Sequence, residues 1–212
     1  MKITKFGHCC LLIEEKGVRI LTDPGSYSVS QDNVKNIDLV LITHEHQDHL
    51  HVDSLKRVLE NNPGVKIITN KSVGKLLEKE NIVYEVAEDG QQFIFEDVLI
   101  EAFGKEHAVI YSTLPTVENT GYFIANKLFY PGDAFTNPGK PVDILALPVA
   151  GPWMKLSEAI DYAKEIKPNR CFPVHEGILK MPGATHKIPP TALESAGIEF
   201  IVLDIDKEVE LK

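Results

Sequence analysis

The chain reads as an α/β protein rich in strand, and three observations carry that reading. Short β-branched or apolar runs separated by glycine open the sequence. A nearly continuous apolar run at 38–43 leads at once into a helical apolar stripe, the pattern of a strand buried on both faces feeding a helix. The same succession, strand-rich then strand–helix–strand, recurs in the second half. The length of 212 residues, with 43% hydrophobic and 25% charged side chains, suits a single domain over 1–212 with its own core.

Taken in order, Lys2 to Phe6, Cys9 to Glu14 and Val18 to Thr22 are strands, divided by Gly7 and Gly17, and Asp23-Pro24-Gly25 turns the chain. Asp38 to Thr43 is the buried strand. Val52, Leu55, Val58 and Leu59 share one helical face, and Pro63-Gly64 stops that helix. Lys66 to Thr69 is a strand and Ser72 to Glu80 a helix, with Ser72 as its cap. Gln91 to Phe95, Val98 to Phe103, Gly121 to Ala125 and Lys127 to Tyr130 make the middle strand-rich. Asp143 to Leu147 is a second buried strand. The stripe Leu156, Ala159, Ile160, Ala163 and Ile166 is helical, and Arg170 to Val174 is again a strand. Thr191 to Glu194, behind two prolines, fits a capping box opening a last short helix. Ile198 to Leu203 and Glu208 to Leu211 close the chain as strands. Each half gives a mixed sheet with helices on one outer face. Stacking two such sheets would bury both apolar faces in four αββα layers.

Composition narrows the functional classes. Lys plus Arg is 22 against 31 for Asp plus Glu, a formal charge of −9, and the basic residues form no run. Both features argue against a nucleic-acid partner, which needs a surplus of cations. The three cysteines, Cys9, Cys10 and Cys171, form no C-x-x-C pair and no closed disulfide framework, as expected in a reducing compartment. Cys9 and Cys10 fall in one strand that alternates faces, so at least one belongs to the core. The opening residues show no apolar leader, and no apolar run approaches the ~20 residues of a membrane span. The expected location is the cytoplasm, with no membrane partner.

The sharpest feature is Thr43-His44-Glu45-His46-Gln47-Asp48-His49-Leu50, directly after the buried strand. Alternate residues of an extended chain point the same way, which sets His44, His46 and Asp48 on one side and displaces His49. Four metal-capable side chains within six positions, at a strand end and before a helix, make a preformed metal loop. The pattern is not the zincin H-E-x-x-H, because Asp48 stands where its second histidine would be. His107, Asp133 and His175 each lie at or just past a strand end, where ligand sites of open sheets collect. Ser72-Val-Gly-Lys75 matches S-x-x-K by letter only, because the S-D-N and K-T-G elements of serine enzymes are absent. His51 and His186 read as surface positions. Trp153 and Met154 follow Ala150-Gly-Pro152, either lining a cleft or packing a loop.

These residues, in this order, resemble the metallo-β-lactamase fold superfamily of metal-dependent hydrolases over essentially the whole chain. The likeness rests on Gly7-His8, Leu21-Thr22-Asp23-Pro24, the H-x-H-x-D-H signature at His44, His46, Asp48 and His49, then His107, Gly132-Asp133 and His175. The length, Gly7-His8 and the stretch Leu147-Pro148, Met154 and Glu158-Ala159 look most like the ascorbate-6-phosphate lactonase-like branch of uncharacterised hydrolases. The resemblance implies a four-layer αββα sandwich of two mixed sheets with a dinuclear centre between them. It implies His44, His46 and His107 on a first ion, Asp48, His49 and His175 on a second, and Asp133 across both. Iron-redox members usually carry Glu where His46 stands, so two Zn²⁺ ions are expected, with Mn²⁺ or Fe admitted by the donor types.

Three imidazoles leave a tetrahedral zinc one position for water, whose pKa falls to about 7 there. The expected chemistry is hydrolysis by a hydroxide bridging both ions. The expected substrate is small and anionic: an ester, a lactone such as a phosphorylated sugar lactone, or a phosphodiester. The alternatives are an RNA- or DNA-processing nuclease of the same superfamily, a diiron redox protein, and a metal-binding module without catalysis. Asp48 and His8 are the candidate proton-handling residues, with His8 behind the ligands or in a relay. Asp23 is expected to orient a ligand histidine through its other ring nitrogen. A homo-oligomer that completes the pocket stays open.

Overall fold

The computed structural model describes residues 1–211. β1 (Lys2–Gly7), β2 (Cys10–Glu15) and β3 (Val18–Thr22) form an antiparallel meander, and β3 then runs parallel to β4 (Leu39–Ile42). Parallel β5 (Lys66–Thr69) and β6 (Glu85–Val86) extend that sheet, and α1 (Val52–Asn61) and α2 (Lys71–Lys79) supply its crossovers. The second sheet repeats the plan. β7 (Gln92–Phe95), β8 (Val98–Phe103), β9 (Gly121–Ile124) and β10 (Leu128–Tyr130) are antiparallel neighbours. β11 (Ile144–Pro148), β12 (Arg170–Val174) and β13 (Glu199–Phe200) follow in parallel, joined through α3 (Leu156–Ile166) and α4 (Ala184–Glu194). The last strand, β14 (Glu208–Glu210), returns to the first sheet and pairs with β1. Each sheet has seven strands and switches once from antiparallel to parallel, at β3/β4 and at β10/β11.

Three apolar clusters mark four layers. Leu39 and Leu41 of β4 join Ile100, Tyr122, Ile144 and Phe172 of the other sheet in the inner core. Val40 and Ile42 face the other way, against Leu55, Val58, Val73 and Leu77 of the helices. Both faces of β4 are therefore dry, which is why its sequence is apolar without alternation. In the second sheet Leu145 and Leu147 pack on Ala159, Ala163, Ile166 and Leu193, while Ile144 and Ala146 face inward.

The sequence expectations hold for most elements and fail at identifiable places. The last helix begins at Ala184, not Thr191, and carries Pro189 and Pro190 inside it. Proline supplies a helical φ while forfeiting a hydrogen bond, and buried Pro189 packs where the helix meets the core. The cap of α2 is Asn70, whose side chain accepts from the Val73 amide, and Ser72 lies within the helix. The strand expected over 198–203 shrinks to Glu199–Phe200. Between β1 and β2 the register slips by one residue at Lys5/Gly7, and β2 starts at Cys10. Cys9 thus lies in the hairpin turn and faces the inner core, whereas Cys10 faces the helices.

Candidate metal centre

The loops that follow both switch points meet between the sheets. Asp23 ends β3; His44, His46, Asp48 and His49 follow β4; His107 follows β8, Asp133 β10 and His175 β12. The turn at 23–26 presses on the turn at 47–49: Ser26 N donates to Gln47 O at 2.9 Å, and His51 N to Pro24 O at 3.1 Å. Gly25 is required there, since a Cβ at that position would sit 1.7 Å from Asp48 O. Asp133 is held from outside the motif. Asn119 accepts from the Asp133 amide at 3.0 Å and donates to Pro131 O at 2.9 Å. Three of the residues here, His8, Asp23 and His175, hold left-handed backbones with φ of 43°, 40° and 68°. For non-glycine residues such conformations cost about 1–3 kcal/mol each and persist only where the surroundings over-determine them.

Hydrogen bonds fix which ring nitrogens face inward. Thr43 Oγ1 donates to Asp23 Oδ2 at 2.7 Å, so it can only accept from His44 Nδ1 at 3.0 Å. His44 Nε2 is then a bare lone pair, and it faces His46 Nδ1 at 3.1 Å. His49 Nδ1 donates to Asp23 Oδ2 at 2.6 Å, and His107 Nδ1 donates to Ala108 O at 2.5 Å. Both turn Nε2 toward Asp133. The Asp133 carboxylate lies among all of them. Its Oδ2 is 2.8 Å from His175 Nε2, 3.3 Å from His107 Nε2 and 3.9 Å from His44 Nε2, and its Oδ1 is 3.2 Å from His49 Nε2. Trp153 Nε1 donates to Oδ2 at 3.0 Å, which puts Trp153 in the site.

These donors fit a metal. His49 Nε2, His175 Nε2 and Asp133 Oδ1 are buried and make no hydrogen bond, although they lie within contact distance of opposite charge. Buried polar atoms seldom stay unpaired, and converging lone pairs of this kind suit a cation. Two groups of donor atoms, each with all members within 4.8 Å of one another, separate out: His44, His46, His107 and Asp133; and His8, Cys9, His49 and His175. Asp48 stands beside the second group, with Oδ2 3.0 Å from His8 Nε2, 3.5 Å from His175 Nε2 and 4.0 Å from His49 Nε2. The sequence singled out all seven of its proposed ligands here. It gave no signal for Cys9, Asn119 or Tyr130, whose hydroxyl donates to Asp23 Oδ2 at 2.6 Å. His51 bonds Ser54 and His186 reaches Glu176, both away from the donor groups.

Electrostatics follow from burial and these neighbours. Burial, then the charge of His49, holds His44 well below the usual histidine range, and burial with His107 lowers His46. Burial alone would raise the Asp48 carboxyl, but the His8 hydrogen bond with His49 and His175 brings it down to about 2. Burial opposes charge on His49, yet Cys9, Asp133 and Asp23 hold it protonated, and Cys9 and Asp48 carry His8 up to about 9. The cluster therefore sets the Asp48 and Asp133 carboxylates against positive charge held on His8 and His49, a place that a bound cation would take over.

A cleft of about 420 Å³ opens over the donors. Its walls include Tyr27, Gln47, Ile110, Pro152, Trp153 and Ile178, and no Lys or Arg lines it. Among the described residues no helix is long and apolar enough to cross a membrane.

Residues 2–175 match the family model described as beta-lactamase superfamily domain. The chain belongs to the metallo-β-lactamase superfamily. It is a metal-dependent hydrolase, in keeping with its relatives. It is similar to Protein Rv0786c of Mycobacterium tuberculosis, at 36% identity over 84% of this chain and 85% of that protein. It is also similar, end to end, to the UPF0173 metal-dependent hydrolase NEQ378 of Nanoarchaeum equitans, at 27% identity. Among solved structures, Igni18, a novel metallo hydrolase from Ignicoccus hospitalis, superposes with a TM-score of 0.77 at 25% identity, covering 100% of this hydrolase and 99% of the other.

Proposed function

We propose that this hydrolase cleaves a small ester or lactone on a dinuclear centre, with zinc as the resident metal. The observation that carries the reading is the Asp133 carboxylate, which lies within 4 Å of histidines from both donor groups: His44, His107 and His175 through Oδ2, and His49 through Oδ1. His44, His46 and His107 would hold one ion, His49 and His175 with Asp48 the other, and Asp133 both. Two divalent ions supply an activated water at neutral pH and a Lewis acid for the substrate's carbonyl oxygen. The chain's own groups do the rest. Asp48 lines the cleft with its side chain a fifth exposed, and its carboxylate would take the proton of the attacking water. His8 Nε2 donates to Asp48 Oδ2 at 3.0 Å and keeps it aimed. The Trp153 indole fixes the Asp133 carboxylate and walls the cleft. Tyr27, Ile110 and Ile178 offer apolar surface to the acyl or alcohol part of the substrate and exclude water from it.

The lining favours a carbonyl over a phosphoryl substrate. A phosphodiester brings a permanent negative charge, for which cationic side chains are the usual partners. None stands in this cleft, so only the ions would attract it. Elemental analysis after metal-replete expression, followed by turnover of neutral esters, neutral and phosphorylated lactones and bis(p-nitrophenyl) phosphate, tests the reading. Fewer than one ion per chain overturns the centre. A preference for the phosphodiester overturns the substrate class.

A further inference from the structure

We propose that Cys9 is a thiolate ligand of the second metal position, beside His49 and His175, and that this position therefore selects zinc over manganese. The proposal rests on the dinuclear reading above and adds a ligand that no part of the H-x-H-x-D-H motif announces.

Three observations carry it. Cys9 belongs to a group with His8, His49 and His175 whose donor atoms all lie within 4.8 Å of one another, and all four residues are buried. His49 Nε2 and both ring nitrogens of His175 make no hydrogen bond although those side chains are at least nine-tenths buried. The backbone around Cys9 places it: Cys9 lies in the hairpin turn directly after the left-handed His8, on the inner side that it shares with Leu11 and Ile13. Cys9 O lies 3.0 Å from Tyr130 Oη, and His8 O accepts from the His175 amide at 3.3 Å, so the turn packs on the opposite sheet and is bonded to it. Cys10 and Cys171 are also buried but pack into the two outer cores, away from this group.

The placement divides the labour around the second ion. Cys9 closes the set from the buried side and Asp48 borders the cleft. The sulfur binds as a thiolate, the proton displaced from the Cys9–His8–His49 group passing to solvent, and this soft donor favours zinc where oxygen donors would have favoured manganese.

Cobalt loading of the whole protein tests this without reference to turnover. Wild type loaded with Co²⁺ should show a thiolate-to-cobalt charge-transfer band in the near ultraviolet. Cys9→Ser should lose it, and Cys10→Ser and Cys171→Ser should keep it. Zinc-loaded wild type should show a sulfur neighbour at about 2.3 Å by X-ray absorption, which covers the case of a Cys9→Ser chain that fails to fold. Relative affinity for zinc over manganese should drop at least about tenfold in Cys9→Ser. Two bound cobalt ions without the band, or zinc without a sulfur neighbour, overturn the Cys9 ligand and leave the dinuclear centre standing. No bound metal at all overturns both.

Discussion

Tyr130 Oη and Asp23 Oδ2 are 2.6 Å apart, a hydrogen bond that runs from one sheet to the other directly beneath the donor cluster. The same carboxylate oxygen accepts from His49 Nδ1 at 2.6 Å and from Thr43 Oγ1 at 2.7 Å. Asp23 thereby sets the orientation of His49 and, through Thr43, the tautomer of His44. Asp23→Asn keeps the volume but offers His49 a poorer acceptor. We expect metal affinity to fall about 10–100-fold, measured by competition with a chelator. Tyr130→Phe should cost about 1 kcal/mol of unfolding free energy while leaving metal content intact. An Asp23→Asn chain with wild-type affinity would show that Asp23 has no part in orienting the donors.

Gly25 sets a steric test. A Cβ there would overlap Asp48 O at 1.7 Å, and the atom it meets is backbone that cannot swing aside. Gly25→Ala should push the 47–49 turn away, destabilise the fold by about 1–3 kcal/mol and reduce bound metal. Denaturant unfolding and metal analysis read the two effects separately. An unchanged metal content would mean the turn tolerates the shift.

Acid sensitivity follows from Asp48. Its carboxyl sits at about 2 in the folded chain against an ordinary 3.8. A lowered pKa adds stability that is fully present above the unfolded value and is lost as pH falls through the folded one. Metal-free wild type should thus lose about 2 kcal/mol from this group between pH 4 and pH 2. Metal-free Asp48→Asn should lack that component. Parallel stability curves for the two chains across this window would disprove it.

Lys5 is a buried cation with one job visible in the structure. Its ammonium donates to Pro173 O at 2.7 Å and pairs with Glu176, on either side of His175. Lys5→Met leaves Glu176 with His186 alone as a partner in a mostly dry setting and should cost about 3 kcal/mol, whereas the double change Lys5→Met with Glu176→Gln should recover part of it. Additive losses in the double variant would mean the pair does not act as a unit.

Fold and site differ in how much the sequence displayed. β3, β5, β8, β12 and α3 follow from periodicity to within the residue, because a strand or helix with a dry face writes its period into the chain. α4 hides its first turns behind Pro189 and Pro190, which read as a boundary although packing carries the helix through them. At the site, histidines and aspartates at strand ends are visible because few structural duties gather four of them in six positions. Cys9 was not: alternation puts it on the inner face with Leu11 and Ile13, but nothing in the local pattern says that His49 and His175 meet it there from other parts of the chain. Asn119 and Tyr130 act through contacts across 14 and 107 residues of chain, a distance over which single-sequence patterning is silent.

The repeated sheet plan has a mechanical consequence. The first sheet's strands deliver His44, His46, Asp48 and His49, and the second sheet's deliver His107, Asp133 and His175. The backbone passes between sheets only near 87–91, and again near 201–207 on its way to β14. An ion gripped by both sets is then a clasp between two leaves of a book whose spine is two short strips of chain. Cutting the exposed strip at Glu88–Gly90 should yield two fragments that hold together more tightly with metal than without it. The same atoms that would split a substrate would then also keep the leaves from parting.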